Sequence, residues 1–110
     1  MQPAYFGESC PVAYAHGYRG TLLTGNCRDT QYVLEMPDFP MFTFGTRPNA
    51  FGGWIITDVN VPIFLPGHLM HYVKVMPGDF IFADNDGVQL IPKDLVDEVL
   101  LRVETTFEKE

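Results

Sequence analysis

Five consecutive residues, Gly25-Asn26-Cys27-Arg28-Asp29, concentrate the chemistry of this chain. They follow a short apolar run and precede a helical stretch. Their side chains are therefore expected at the carboxyl end of a strand, where open α/β sheets bind ligands. The helix start adds free N–H groups and a positive dipole end, both favourable to an anion. A guanidinium grips a carboxylate in a two-pronged fork, and an adjacent carboxylate holds a hard cation through oxygen. An adjacent Arg28 and Asp29 can thus split the work, one on a carboxylate and the other on a cation. The same two residues also read as an ordinary helix cap, with Asp29 on the backbone and Arg28 paired at the surface.

A second candidate is Tyr5-Phe6-Gly7-Glu8-Ser9. Gly7, Glu8 and Ser9 open a helix that offers backbone donors to an oxyanion, with Glu8 as a base or as an outer partner of a metal. An ordinary cap with a dipole-compatible Glu8 accounts for them equally. Asp84-Asn85-Asp86-Gly87 resembles the start of a calcium loop, but Leu95 stands where the twelfth-position Glu belongs, so a hairpin turn is expected. His16, His68 and His71 have no metal-ligand spacing. Residues 46–53 form an irregular loop carrying Arg47, of the kind that completes sites or interfaces. There is no GxGxxG, P-loop or GxSxG pattern, and no glycine-rich loop suited to a methyltransferase.

The elements that must position these residues follow from pattern. Residues 7–17 read as a short helix with Pro11 in its first turn and Gly17 as its stop. Residues 20–25 read as a buried strand, 29–36 as a helix ended by Pro37, and 39–44 as a second strand. Helix and strand alternating in this way favour parallel pairing through helical crossovers. Beyond them, residues 54–65, 71–75, 79–83 and 87–91 are β-rich and separated by Pro-Gly and Asp-Gly turns. From Lys93 the period becomes 3.6. Val96, Val99, Leu100, Val103 and Phe107 share one stripe, which predicts a terminal helix covering the sheet.

Composition sets the outer limits. A chain of 110 residues reads as one domain, 1–110, and 46% hydrophobic residues against 19% charged exclude disorder. The formal charge of −7 repels a phosphate backbone, so nucleic acid is an unsuitable partner. No apolar run reaches the roughly 20 residues of a membrane span, and no signal peptide is visible at the start. Cys10 and Cys27 read as reduced thiols, which with the preceding points predicts a cytoplasmic protein. An aromatic content of 14% in so short a chain suggests apolar surface kept for a partner chain.

Several stretches in order resemble the RraA-like family, which includes ribonuclease E activity regulators and 4-hydroxy-4-methyl-2-oxoglutarate/oxaloacetate aldolases. They are Phe6-Gly7-Glu8, Gly17-Tyr18-Arg19-Gly20, Gly25-Asn26-Cys27-Arg28-Asp29, Phe39-Pro40-Met41-Phe42 and Gly45-Thr46-Arg47-Pro48. Val61-Pro62-Ile63, Pro77-Gly78-Asp79, Ala83-Asp84-Asn85-Asp86-Gly87 and Ile91-Pro92 continue the series. The likeness falls on the middle and later part of the family domain, so the chain reads as a partial domain. The resemblance implies an α/β/β swivelling-domain sandwich, assembled as a homotrimer or hexamer with its site between subunits.

For the aldolase branch, the resemblance implies that Arg28 holds the carboxylate and keto side of a small 2-oxo acid. Asp29 would coordinate Mg²⁺ or Mn²⁺, and residues 7–10 (Gly7, Glu8, Ser9 and Cys10) would supply backbone donors and the acid Glu8. Glu8 and Arg28 enclose nineteen residues, one fewer than the aldolase pattern. An acid from the late helix, Glu104, Glu108 or Glu110, would reach a neighbouring site. The expected activity is a divalent-metal-dependent class II aldolase or oxaloacetate decarboxylase releasing pyruvate. The alternative is a non-catalytic regulator that binds a protein such as a ribonuclease through its acidic surface.

Overall fold

The computed structural model describes residues 4–6, 9–49 and 55–109. The chain divides into two compact units, Met1–Ile56 and Thr57–Glu110.

In the first unit, β1 (Ala4–Phe6) leads towards α1 (Ser9–Ala15). Pro11 lies in the first turn of α1, where a missing N–H costs no helical bond. The helix ends as its glycine demands. Gly17 takes φ +86°, its N–H donates to the Tyr14 carbonyl and that of Tyr18 to the Ala13 carbonyl, closing a Schellman motif. Then come β2 (Thr21–Leu22), β3 (Asn26–Arg28), α2 (Thr30–Leu34), β4 (Met41–Phe42) and β5 (Gly45–Thr46). The sheet order is β1-β3-β5, all parallel, with β2 and β4 forming a separate parallel pair. Gly20 is needed beside that pair: a Cβ there would sit 2.9 Å from the Pro40 carbonyl oxygen.

The core of this unit is small. Cys10 of α1, Cys27 of β3, Val33 of α2 and Phe39 are buried together, with Ala13, Met36 and Met41 against them. Tyr14 and Phe39 add an edge-to-face ring contact with centroids 6.0 Å apart. Cys27 thus faces the helices, and alternation along a strand puts Asn26 and Arg28 on the opposite face.

Three expectations about this unit change. Residues 26–28 form a strand of their own, the central one, which leads through the N-cap Asp29 into α2 (Thr30–Leu34). The expected buried strand over 20–25 is only Thr21–Leu22, and both residues are half-buried. The expected strand over 39–44 is only Met41–Phe42, and a further strand, β5 at Gly45–Thr46, follows it in a different sheet.

The second unit contains two antiparallel hairpins. The first pairs β6 (Ile63–Pro66) with β7 (Tyr72–Val75), and the second pairs β8 (Phe80–Asp84) with β9 (Gly87–Ile91). The Asp-Gly signal delivers its turn. Asp84 opposes Gly87, the Asp86 N–H donates to Asp84 Oδ1 at 2.8 Å, and Gly87 takes φ +148°. The Asp79 carboxylate ties the unit together. Oδ2 accepts the Met76 N–H at 2.8 Å, and Oδ1 accepts the Lys93 N–H at 3.0 Å across fourteen residues. These bonds lower the Asp79 pKa below the usual carboxylate value. A 3₁₀ turn (Lys93–Leu95) then leads into α3 (Val96–Phe107).

Two expectations are corrected here. Among the described residues of the β-rich stretch 54–65, strand pairing begins only at Ile63, where β6 starts, because Asn60 turns left-handed at φ 56° and Pro62 has no N–H to pair. The terminal helix forms, but its stripe is only partly covered: Val96 and Val99 are half-buried, whereas Leu100, Val103 and Phe107 are exposed, Phe107 by 72%. No described residue of this unit is fully buried.

Candidate functional site

Three adjacent residues build the site. β3 ends at Arg28, and Asp29 follows at the N-cap of α2 with φ 57° and ψ 36°, the left-handed region. Few residues other than glycine accept that conformation, Asn and Asp most readily among them. The Asp29 side chain makes no capping bond. It turns back instead, with Oδ2 3.3 Å from Arg28 Nε. Both side chains keep partial exposure, 24% for Arg28 and 35% for Asp29. The helix-cap reading of Asp29 therefore fails in its hydrogen bond, while the pairing of Arg28 with Asp29 is present.

The neighbouring strand completes the wall. Cys27 pairs with Thr46, and the Arg47 N–H donates to the Cys27 carbonyl at 3.0 Å. Cys27, Arg28, Asp29, Thr30, Thr46, Arg47 and Pro48 line an open cleft of about 370 Å³. That volume lies within the range of small-molecule sites, about 300–1,000 Å³. The cleft stands at the carboxyl ends of parallel β3 and β5, as the strand rule requires. α2 has only five residues, so the anion-attracting dipole anticipated from a helix start is slight.

Of the other candidate residues, Ser9 begins α1 and is half-buried, and Cys10 is fully buried in the core. Neither lines the cleft. Gly7, Glu8 and Glu110 lie outside the described residues. Glu104 and Glu108 are exposed in the second unit, at and just beyond α3. His16, His68 and His71 are exposed, and no group of three or more His, Cys, Asp or Glu among the described residues is placed to hold a metal. Among the described residues, Asp29 is the carboxylate that lines this cleft. A partly exposed carboxylate beside open space suits a hard cation that keeps most of its waters, as Mg²⁺ does.

Sequence reasoning misses Thr30 as a site residue, and it places Thr46, Arg47 and Pro48 only within a loop of the kind that completes sites. The signal that finds them is register: pairing β3 with β5 brings residues 46–48 beside 27–29. The thiols are poorly suited to nucleophilic work. Burial pushes both above the ordinary thiol pKa, helped by Cys27 beside Cys10 and by Asp29 beside Cys27. Cys27 Sγ donates to the Arg28 carbonyl at 3.2 Å. Asn26, 5% exposed, carries an Nδ2 with no hydrogen-bond partner among the described residues.

Known proteins are similar to this chain in sequence. The 4-hydroxy-4-methyl-2-oxoglutarate aldolase of a Thermus thermophilus strain is 30% identical over 87 residues, covering 79% of this chain and 49% of the relative. A protein named as a putative aldolase of the same kind, from Halalkalibacterium halodurans, is 36% identical over 81% of this chain and 40% of its own length. An uncharacterized Methanocaldococcus jannaschii protein is 32% identical over 86% of the chain. The chain therefore spans half or less of the length of the first two relatives. No solved structure matches significantly. The family model described as Aldolase/RraA matches residues 4–90, through both units and across the Arg28–Asp29 cleft, and the chain belongs to the RraA-like family.

Proposed function

We propose that this chain carries the substrate cleft of a divalent-metal-dependent lyase, of class II aldolase or oxaloacetate decarboxylase type, that acts on a small 2-oxo acid and releases pyruvate. The observation that carries this reading is the Arg28–Asp29 pair, held 3.3 Å apart in an open cleft at the ends of parallel strands. The names of the aldolase relatives support it. Arg28 binds the carboxylate next to the keto group, and its charge favours negative charge growing on the keto oxygen as the carbon–carbon bond breaks. Asp29 orients the guanidinium and would hold Mg²⁺ or Mn²⁺. When bound, that ion would supply Lewis-acid stabilisation of the same oxygen. Thr30 and Thr46 offer hydroxyls to the bound acid, and Glu8 is the proposed acid–base partner.

The test is pyruvate release from 4-hydroxy-4-methyl-2-oxoglutarate and oxaloacetate, followed by a coupled NADH assay with added Mg²⁺. Saturable turnover that EDTA abolishes, and that falls at least 100-fold in Asp29→Asn, is expected. Equal rates in the wild type and Asp29→Asn would sink the catalytic reading and favour the regulator. The swivelling sandwich and a trimeric or hexameric assembly belong to the same proposal, supported by the apolar stripe that α3 leaves exposed. No described helix is long and apolar enough to cross a membrane.

A further inference from the structure

We propose that Arg47 sets substrate specificity by gripping the second carboxylate of a 2-oxo diacid whose first carboxylate lies at Arg28. The assignment rests on the reading of the cleft as a 2-oxo acid site and gives it a second anchor.

Register brings the two cations together. β3 and β5 run parallel with Asn26 opposite Gly45 and Cys27 opposite Thr46, so Arg28 and Arg47 each come next at the ends of adjacent strands. Neighbouring strands lie about 4.8 Å apart. Both arginines line the one cleft. Arg47 is also held on both sides: its N–H is bonded to the Cys27 carbonyl, and Pro48 restricts the residue before it to extended conformations. A guanidinium launched from a fixed backbone loses less freedom when it binds, which is the benefit of preorganisation.

Charge supports the same assignment. Arg28 has Asp29 as a counter-ion, whereas the Arg47 side chain has no ion pair or hydrogen bond among the described residues. Among the described residues lining the cleft, the three charged side chains sum to +1, in a chain whose formal charge is −7. Two like charges on adjacent strand ends repel, and an anion bridging them relieves that repulsion. A diacid does so with both its ends. Arginine also presents the planar fork that matches a carboxylate, which lysine lacks.

The experiment compares 4-hydroxy-4-methyl-2-oxoglutarate with its 5-methyl ester, whose retro-aldol cleavage gives pyruvate together with pyruvate or methyl pyruvate, by pyruvate release in the wild type, Arg47→Gln and Arg47→Lys. The readout is the ratio of kcat/KM values, diacid over ester. Arg47→Gln should lower this ratio at least ten-fold, chiefly through KM for the diacid, and Arg47→Lys should lower it less. A ratio that stays at the wild-type value in Arg47→Gln overturns the assignment. Calorimetric binding of 2-oxoglutarate and its 5-methyl ester, with Mg²⁺ present, separates this outcome from failure of the catalytic reading. Diacid preference lost in Arg47→Gln supports the role of Arg47 even in a chain that turns nothing over. Equal wild-type affinity for the two probes, or binding of neither, overturns it.

Discussion

Asp29 combines two demands that usually fall on different residues. Its carboxylate faces Arg28 at 3.3 Å, while its backbone sits at φ 57°, where an L residue bears strain on the order of 1 kcal/mol. Substitutions there separate chemistry from backbone. Asp29→Gly and Asp29→Ala both remove the carboxylate and its ion pair, so both should lose pyruvate release. Only Ala keeps a Cβ in the left-handed region. Asp29→Ala should therefore be less stable than Asp29→Gly by about 1 kcal/mol, a difference of a few degrees in melting temperature. Equal melting curves would show that the conformation at Asp29 carries no strain. Adjacency made this pair legible in the sequence, although it is the left-handed turn at Asp29 that brings the two consecutive side chains together. Arg47 was less legible because it joins the pair only through pairing nineteen residues away.

Among the elements, those fixed by local chemistry matched their patterns and those fixed by distant contacts did not. Gly17 ended α1, the Asp-Gly turn made the β8–β9 hairpin, and the 3.6 period made α3. β3 escaped notice because it has three residues, with Asn26 and Arg28 flanking a single apolar one, and it exists only through its neighbours β1 and β5. Asp79 is the clearest determinant in the second unit, joining the turn after β7 to the start of the 3₁₀ turn through two backbone N–H groups. Its folded-state pKa is lowered, so its contribution is complete above the unfolded carboxylate value of about 3.9 and is lost as pH falls through the folded value. Asp79→Asn should melt earlier than the wild type at pH 7, and the gap should close as pH falls below about 4. A gap independent of pH would remove the carboxylate from that role.

For the whole molecule, the notable quantity is apolar surface without cover. Ile55 and Ile56 are 83% exposed, Leu69 is 99% exposed, and α3 shows Leu101 and Phe107 to solvent. Monomeric proteins seldom leave extended apolar patches open. Light scattering over a range of concentrations should find self-association, and Leu101→Glu with Phe107→Glu should shift the population towards monomer. A single species of about 12.4 kDa at every concentration would refute self-association. The sequence suggested this surplus through its aromatic content, but not its location, because the stripe on α3 reads identically whether it meets its own sheet or another chain.

The orphaned amide of Asn26 carries one more implication. It sits two residues before Arg28 on the same side of β3, with Gly45 opposite and its Nδ2 unanswered. An unsatisfied buried donor costs about 1–3 kcal/mol, a large fraction of what a domain this small has to spare. Selection for heat tolerance alone would have most to gain by swapping that amide for a hydrocarbon. Whatever keeps a hungry donor beneath the guanidinium would then be traded away for rigidity.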